Sequence, residues 1–387
     1  MAPALASVGA SSQVNYVEEV TYGVTPLTPS MKIVRAKLGS KFELKRDTFS
    51  SKEMNASRQV MGLTYGNRSG SGDIPFEFSY GSFDDFLSAV MGGTQSWGGG
   101  NVLKIGNNKR SFSIEQQYPD INVNEINTGV VFTGLSLNVK PNAIVEGSFT
   151  HQFKDQASVQ TPYNATATGN MTFTATTIVR ASGSFLTDGF AAAGGDSVVT
   201  LGATNAVNNK TAVTLSATAT VLTFAAATYT IDATNNTGLV VAKTLGTATA
   251  INTNAVFDSF TGSLTEGGVA CAIVTGIDLK IDQSANASNV LFDATVQQVS
   301  LGTVNVTGTL VVRFINNALK AKFLAGTTSD IMFILGGASK KYQFDMSGVK
   351  YTSASTDSAE TELSQTLAFT AIYDATDLSS LIITRTP

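Results

Sequence analysis

Alternating apolar and polar positions run through most of the chain and predict β-strands. The stretches DIPFEFSY at 73–80 and VNVTGTLVVRF at 304–314 are typical. A strand points successive side chains to opposite sides, so such alternation predicts sheets with one buried face. The pattern therefore favours a mainly β fold.

The stretch SYGSFDDFLSAVMGG at 79–93 breaks the alternation and predicts a short helix. Ser82 can cap its N-terminus, and Asp85 completes a capping pattern three residues later. Gly92 can take the left-handed position that ends the helix. Helical spacing places an apolar stripe on one side, and the predicted helix core consists of Phe83, Phe86, Leu87 and Val90.

A second helix is predicted in RFINNALKAKFLAG at 313–326. Asn316 or Asn317 can cap it, and Gly326 can end it. Its predicted stripe consists of Leu319, Phe323 and Leu324. Each helix follows an alternating strand, so one amphipathic helix is expected to complete the core of each strand meander.

The repeat of strand, helix and strands predicts a duplicated domain with a third domain inserted between the copies. The alternative is one large β fold with accidental internal similarity. The predicted divisions are a flexible N-terminal arm at 1–13, a first copy at 14–162, an insert at 163–257 and a second copy at 258–387.

The middle of the chain differs sharply in composition from the flanks. Residues 161–260 hold three basic residues (Arg180, Lys210, Lys243) and four acidic ones (Asp188, Asp196, Asp232, Asp258). Short strands separated by turn signals predict a small β-sandwich or immunoglobulin-like module there.

Charged residues make up 14% of the chain, whereas globular proteins average about 25%. So little charge indicates either a surface covered by copies of the same chain or a secreted β protein rich in Thr, Ser, Asn and Gly. The net charge of −4 argues against a basic nucleic-acid binder. No apolar run suggests a membrane span, and the first residues lack the features of a signal peptide.

No residue pattern predicts an active site, a metal site or a cofactor, so the chain is interpreted as a non-enzyme. His151 is the single histidine and is expected at a surface or an interface. Asp84 and Asp85 are adjacent on the first helix and are interpreted as capping charges rather than a catalytic pair. Cys271 is interpreted as a small buried hydrophobe.

A long polar stretch at 44–76 carries spaced apolar side chains and is interpreted as an arm that packs against a partner. The alternative is an exposed loop. A stretch at 281–304 has a similar shape. The candidate interface residues between subunits or rings are Phe49, Met54, Met61, Tyr65, Arg68, Val290 and Phe292.

Several stretches resemble the major tail tube proteins of long, non-contractile-tailed bacteriophages. They are VNYVEEVTYGVTP at 14–26, GNRSGSGDIPFEFSYGSFDDFLSAVMGG at 66–93 and LSQTLAFTAIYDATDLSSLIITRTP at 363–387. The stretch TTIVRASGSFLTDGF at 176–190 resembles the immunoglobulin-like insert of some members. Together the stretches span most of the chain.

The resemblance implies two tandem β-sandwich or partial-barrel domains, each with a flanking α-helix, whose inner sheets join those of neighbouring copies around a lumen. It implies a structural virion protein that is assembled in the host cytoplasm and stacks as rings into the tail tube. A duplicated chain favours trimeric rings with pseudo-sixfold symmetry over hexameric ones. The implied partners are copies of the chain, the tail terminator, distal tail and tape-measure proteins, and double-stranded DNA in transit, without a membrane.

A lumen that lets DNA slide is expected to carry small polar and acidic side chains, because basic walls would bind phosphates. Competing interpretations are another virion structural protein, such as a capsid or tail-tip component, and a bacterial surface or adhesin protein with immunoglobulin-like modules. A tail-associated glycan hydrolase is a weaker alternative, since no pair of carboxylates suggests one.

Overall fold

The computed structural model describes residues 9, 12–26, 30–53, 59–93, 97, 101–118, 120–121, 123–159, 163–244, 248–358 and 362–387. The chain divides into two compact units. Unit 1 comprises Met1–Val34, Phe112–Thr128 and Gln156–Ile251. Unit 2 comprises Arg35–Ser111, Gly129–Asp155 and Asn252–Pro387.

Strands dominate both units. Those before the insert are β1 Gln13–Glu18, β2 Lys32–Ile33, β3 Lys41–Ser50, β4 Leu63–Glu77, β5 Val102–Lys104, β6 Phe112–Tyr118, β7 Val123–Val139, β8 Glu146–Phe153 and β9 Asp155–Val159. Those of the insert are β10 Tyr163–Phe173, β11 Thr177–Arg180, β12 Ser197–Leu201, β13 Thr211–Ala217, β14 Val221–Phe224 and β15 Asp232–Thr244, with a 3-10 turn at Ala206–Asn208. Those after it are β16 Gly262–Glu266, β17 Val269–Ala270, β18 Val274–Asp282, β19 Asn286–Ser288, β20 Gln298–Ser300, β21 Asn305–Arg313, β22 Ser329–Leu335, β23 Lys341–Ser358, β24 Leu363–Ala371 and β25 Ile382–Thr386.

The first predicted helix is α1, Asp84–Val90, and its capping differs from the expectation. Phe83 occupies the N-cap position and makes no capping hydrogen bond. The predicted Ser82 cap is wrong, because the Ser82 hydroxyl is engaged with the Ser79 hydroxyl at 2.6 Å. Gly92 does adopt the left-handed conformation just beyond the helix, with φ of 63°, as predicted.

The second predicted helix is α2, Ala318–Ala325. The Asn316 side chain accepts a hydrogen bond from the Ala318 N–H at 3.0 Å, and Gly326 ends the helix with φ of 64°. Leu319 is buried and Phe323 is half-buried. The prediction that Leu324 belongs to the buried stripe is wrong, since its side chain is 74% exposed.

Unit 1 contains the N-terminal strands and the insert. Strand β1 pairs antiparallel with β2 and with β6. The insert's six strands hydrogen-bond in the closed order β10–β11–β14–β13–β12–β15 and back to β10. The insert is therefore an all-β module whose strands form one barrel, whereas the sequence pattern favoured two packed sheets.

The insert's core combines apolar side chains with one buried ion pair. Phe173, Phe185 and Phe224 are almost fully enclosed. Lys243 Nζ lies 2.7 Å from Asp196 Oδ1, and both side chains are at most 3% exposed. Asp196 also accepts the Ala191 N–H at 2.6 Å. Because a buried charge without a partner is strongly unfavourable, each member of this pair depends on the other.

Unit 2 contains one order of four antiparallel strands twice. The first copy pairs in the order β3–β4–β8–β7. The second copy pairs in the order β18–β21–β24–β23. In each copy a helix follows the second strand of this order, α1 after β4 and α2 after β21. The strand order thus repeats the duplication visible in the sequence.

The two copies also correspond residue by residue. The pairing of β7 with β8 is interrupted by a bulge between Phe132 and Gly134. The pairing of β23 with β24 has its bulge between Tyr351 and Ser353. A bulge is a defined backbone feature, so its recurrence at the same place fixes the alignment of the two copies.

Gly72 in β4 and Gly308 in β21 occupy equivalent positions and share a steric role. A Cβ atom on Gly72 would lie 1.8 Å from the Lys41 carbonyl oxygen. One on Gly308 would lie 2.2 Å from the Asp278 carbonyl oxygen. Both distances are far below van der Waals contact, so each glycine lets the neighbouring strand approach closely.

We expect Gly72→Ala and Gly308→Ala each to lower the stability of unit 2 by about 3 kcal/mol, because the added methyl group must push two paired strands apart. Urea unfolding followed by tryptophan fluorescence and circular dichroism measures the change. Gly238→Ala in β15 is the control, since nothing lies within 4 Å of a Cβ atom there. Equal effects of all three substitutions would contradict the steric role.

Candidate assembly interface

The two copies in unit 2 are joined edge to edge by β7 and β18. Residues 134–139 of β7 pair antiparallel with residues 277–282 of β18. Leu135 lies opposite Ile281, and Asn138 lies opposite Asp278. The Asn138 side chain also donates a hydrogen bond to the Asp278 carboxylate. This pairing, called the intrachain joint below, produces one continuous sheet in the order β3–β4–β8–β7–β18–β21–β24–β23.

One face of this sheet is buried against aromatic side chains and helix α1. The Phe76 and Phe149 rings stack with their centroids 4.6 Å apart. From α1, Phe86 packs on Phe132 at 4.2 Å, and Phe83 packs on Phe76 at 4.5 Å. Phe83, Phe86, Leu87 and Val90 are each at most 1% exposed.

The opposite face of the sheet, called the polar face below, carries small polar and charged side chains. Its acidic members include Glu43, Asp73, Asp278, Asp282 and Asp357, and its basic members include Lys41, Lys45 and Lys280. Between them lie Ser71, Thr150, Ser136, Thr307, Thr309 and Ser355. The two signs of charge therefore alternate, and neither sign covers the face.

The sheet has two edges that no other described strand covers. In the residues that the structure describes, β3 pairs only with β4. Strand β23 pairs with β22 up to Val349, and beyond that residue its described part pairs only with β24. Unpaired strand edges present rows of N–H and C=O groups and readily accept another strand.

Strands β3 and β4 form a long hairpin, called the arm hairpin below, that carries most of the predicted interface residues. Phe49, Met61 and Tyr65 are 63%, 62% and 60% exposed. Arg68 Nη2 lies 2.8 Å from Asp155 Oδ2, so it has a partner within the chain. Met54 lies outside the described residues.

The corresponding stretch of the second copy forms a small two-stranded sheet, β19 with β20. Val290 is 51% exposed, and Phe292, at the turn between these strands, is fully exposed with φ of 67°. The base of the arm hairpin contacts this stretch: Asn67 donates to the Asp293 carbonyl at 2.8 Å. Large exposed apolar side chains near one another typically mark interaction surfaces.

The two helices differ in how well the chain covers them. In α1 the residues Phe86 to Val90 are all buried, whereas in α2 only Leu319 is. Gln283, the residue after β18, donates its amide to the carbonyls of Ala89 and Val90 at the C-terminus of α1. The exposed C-terminal half of α2 has no such cover among the described residues.

Asp84 and Asp85 have structural partners. Asp84 accepts hydrogen bonds from the Tyr342 hydroxyl and the Arg385 guanidinium. Asp85 Oδ1 lies 3.2 Å from Arg110 Nη2. These contacts fix the first turn of α1, and they replace the predicted capping pattern at Asp85.

The expectation of a surface or interface position for His151 is wrong. Its side chain is fully buried in β8, 4.6 Å from the Phe42 ring and 6.1 Å from the Phe153 ring. Neither ring nitrogen makes a hydrogen bond of normal geometry. Burial lowers the pKa of His151 to about 3, because the charged form would be cut off from water. Such a neutral histidine fills the core.

We expect unit 2 to lose stability as the pH falls from about 6.5 towards 3. The unfolded chain binds a proton at His151 near pH 6.5, whereas the folded chain does so only near pH 3. The contribution is therefore fully present above pH 6.5, and roughly 2 kcal/mol of it is lost by pH 5.

Urea unfolding at pH 7 and pH 5 tests this expectation against His151→Phe. Phenylalanine is the matched replacement, since Phe369 stands at the equivalent position of the second copy. The variant should lose less stability between the two pH values than the native chain. An unchanged pH dependence would rule out His151 as its source.

The described residues show polar clusters that stabilise the fold. No group of three or more His, Cys, Asp or Glu residues there could hold a metal ion. One polar cluster joins Glu266 to Lys322 at 2.8 Å, to Ser329 at 2.7 Å and to Tyr351 at 2.9 Å. Each of these groups is satisfied by the others, so the cluster anchors α2 to the sheet. No helix in this part of the chain has both the length and the apolar character needed to cross a membrane.

Comparison with known proteins gives two findings. The family model described as "Phage tail tube protein" matches residues 9–221 and again residues 183–371. Among curated proteins, none matches the chain. The two family matches overlap at residues 183–221 and together run from residue 9 to residue 371, and the presence of two matches agrees with the duplicated strand order of unit 2.

Proposed function

The chain belongs to the phage tail tube protein family, and from that premise we propose that it forms closed rings that stack into a tube for DNA. As a member of this family it is a structural component of the virion tail that assembles with itself. The single observation that supports closed rings and DNA passage is the continuous sheet of unit 2, which has a polar face and two uncovered edges.

The edges support ring closure. A sheet whose two outer strands remain unpaired can continue from chain to chain, and closing the series into a ring removes every edge. Each contact then joins one edge to the opposite edge of the next chain. Such head-to-tail contacts generate rings when the rotation closes.

The duplication supports three chains per ring. One chain already contributes two similar domains, so three chains give six domains related by pseudo-sixfold symmetry. A ring of six chains would contain twelve such domains and a correspondingly wider opening. We therefore favour the trimer and keep the hexamer as the alternative.

The polar face supports a lumen that DNA can pass. Its Lys side chains alternate with carboxylates along β3 and β18, and small hydroxyl side chains lie on the strands between them. Phosphate binding strengthens with the number of basic contacts that displace counterions. A face of mixed charge holds DNA weakly, which suits transit.

Cryo-electron microscopy of the purified full-length protein tests the proposal. Rings or tubes with three chains and six similar domains per layer are expected. Six chains per layer would overturn the trimer while keeping the tube. Monodisperse monomers across protein concentrations and salt conditions would overturn the tube itself and favour the surface-protein interpretation.

We expect the double variant Phe49→Ser with Met61→Ser to form rings but to elongate poorly into tubes. Both side chains are exposed on the arm hairpin, and burying each against the next ring contributes stability in proportion to its apolar area. The concentration needed for tubes should rise about tenfold or more.

The matched control is Val213→Ser with Leu215→Ser on the insert, where the two side chains are 57% and 60% exposed. It should elongate like the native chain. Electron micrographs and sedimentation over a concentration series provide the measurement. Equal elongation of the arm variant and the control would exclude the arm hairpin from stacking.

A further inference from the structure

The intrachain joint gives a template for the contact between chains. We infer that β23 of one chain pairs antiparallel with β3 of the next in the register of the intrachain joint, which places Asp357 opposite Lys41. The inference rests on the proposed ring and specifies its contact. The partner is a second copy of this chain.

The equivalence of β18 and β3 defines one side of the contact. In the second copy Gly308 pairs with Leu279, and the next pair along the strands is Asp278 with Thr309. In the first copy Lys41 pairs with Asp73, one residue beyond the pair of Phe42 and Gly72. Lys41 therefore stands where Asp278 stands.

The equivalence of β7 and β23 defines the other side. Counting from the shared bulge, Gly134 corresponds to Ser353, so Asn138 corresponds to Asp357. Strand β24 covers one edge of β23, and β22 covers the other edge only as far as Val349. The uncovered edge of β23 is therefore the part of this second edge that lies beyond Val349. Since Asn138 lies opposite Asp278 in the intrachain joint, Asp357 is placed opposite Lys41 in the contact between chains.

The charges of the two joints differ in a way that supports this register. In the intrachain joint an amide, Asn138, donates to a carboxylate, Asp278. In the contact between chains a carboxylate, Asp357, meets an ammonium group, Lys41. Both positions are exposed in the single chain, where Lys41 Nζ lies 2.8 Å from Glu43 Oε2 and Lys41 pairs across the strands with Asp73. Opposite charges placed directly across a pair of strands stabilise it.

The same register discriminates against wrong pairings. If two β3 edges met at Lys41, the Lys41 ammonium groups of the two chains would lie opposite each other. If two β23 edges met at Asp357, the Asp357 carboxylates of the two chains would lie opposite each other. Like charges directly opposite one another destabilise a strand pair, so the contact favours the head-to-tail order that a ring needs.

The uneven cover of the helices gives a second, independent support. Gln283 follows the last paired residue of β18 and donates to the C-terminus of α1. Lys45 in β3 corresponds to Asp282 in β18, so the residue equivalent to Gln283 is Arg46. A neighbouring chain in the inferred register therefore brings Arg46 to the C-terminus of α2, where a cation is favoured by the helix dipole. Leu324, in the C-terminal half of α2, is 74% exposed in the single chain.

Cysteine pairs test the register directly. In a Cys271→Ala background, the pair Asn138→Cys with Asp278→Cys is the positive control, because the two residues lie opposite each other within one chain. The test pair is Lys41→Cys with Asp357→Cys. The matched negative control is Glu43→Cys with Asp357→Cys, shifted by two residues on the same face and too distant for a disulfide.

Mild oxidation and denaturing electrophoresis of the assembled protein give the readout. The test pair should yield covalent trimers, and the shifted pair should yield monomers. A test pair that stays monomeric while micrographs show tubes would overturn the inferred contact and leave the proposed function intact. The absence of rings and tubes in the native chain would overturn both.

Charge reversal tests the role of the pair without cysteines. Lys41→Asp and Asp357→Lys should each raise the concentration for half-assembly about fivefold, and the double variant should restore it. Lys280→Asp is the control, because it changes the charge of the same face away from both edges. Additive losses in the double variant would show that the two residues do not meet.

Discussion

The backbone hydrogen bonds between β7 and β18 are the interaction on which the rest of unit 2 depends. They turn two separate four-stranded sheets into one, and they leave the uncovered edges at β3 and β23 rather than in the middle. They also place Gln283 over the end of α1. Without this joint the first copy would expose a second edge and the C-terminus of its helix.

The division of the sheet into a buried and a polar face follows from strand alternation, but the tight spacing of its strands follows from two glycines. Gly72 and Gly308 allow backbone contacts that no side chain would permit. Around them, aromatic side chains such as Phe76, Phe149 and Phe86 fill the buried face. The neutral His151 occupies the same core, where burial lowers its pKa.

Much of the fold could be predicted from the sequence, because the signals involved are local. Alternation identified the strands, and helical spacing with a terminal glycine identified α1 and α2. The capping at Ser82 and the burial of His151 could not be predicted, since both depend on neighbours in the folded chain. Ser79 engages Ser82, and the rings of Phe42 and Phe153 lie against His151. The edge residues Lys41 and Asp357 were missed for a related reason. The sequence signal for Lys41 is the sign reversal between Lys41-Glu43-Lys45 and Asp278-Lys280-Asp282, which can be interpreted only once the strand register is known.

The intrachain joint also has a kinetic consequence. Joining two domains in one polypeptide raises the effective concentration at which their edges meet, because the second association becomes intramolecular. In a ring of three such chains, half of the joints form as each chain folds. Nucleation then requires three molecules to collide instead of six, so rings can begin at lower protein concentration.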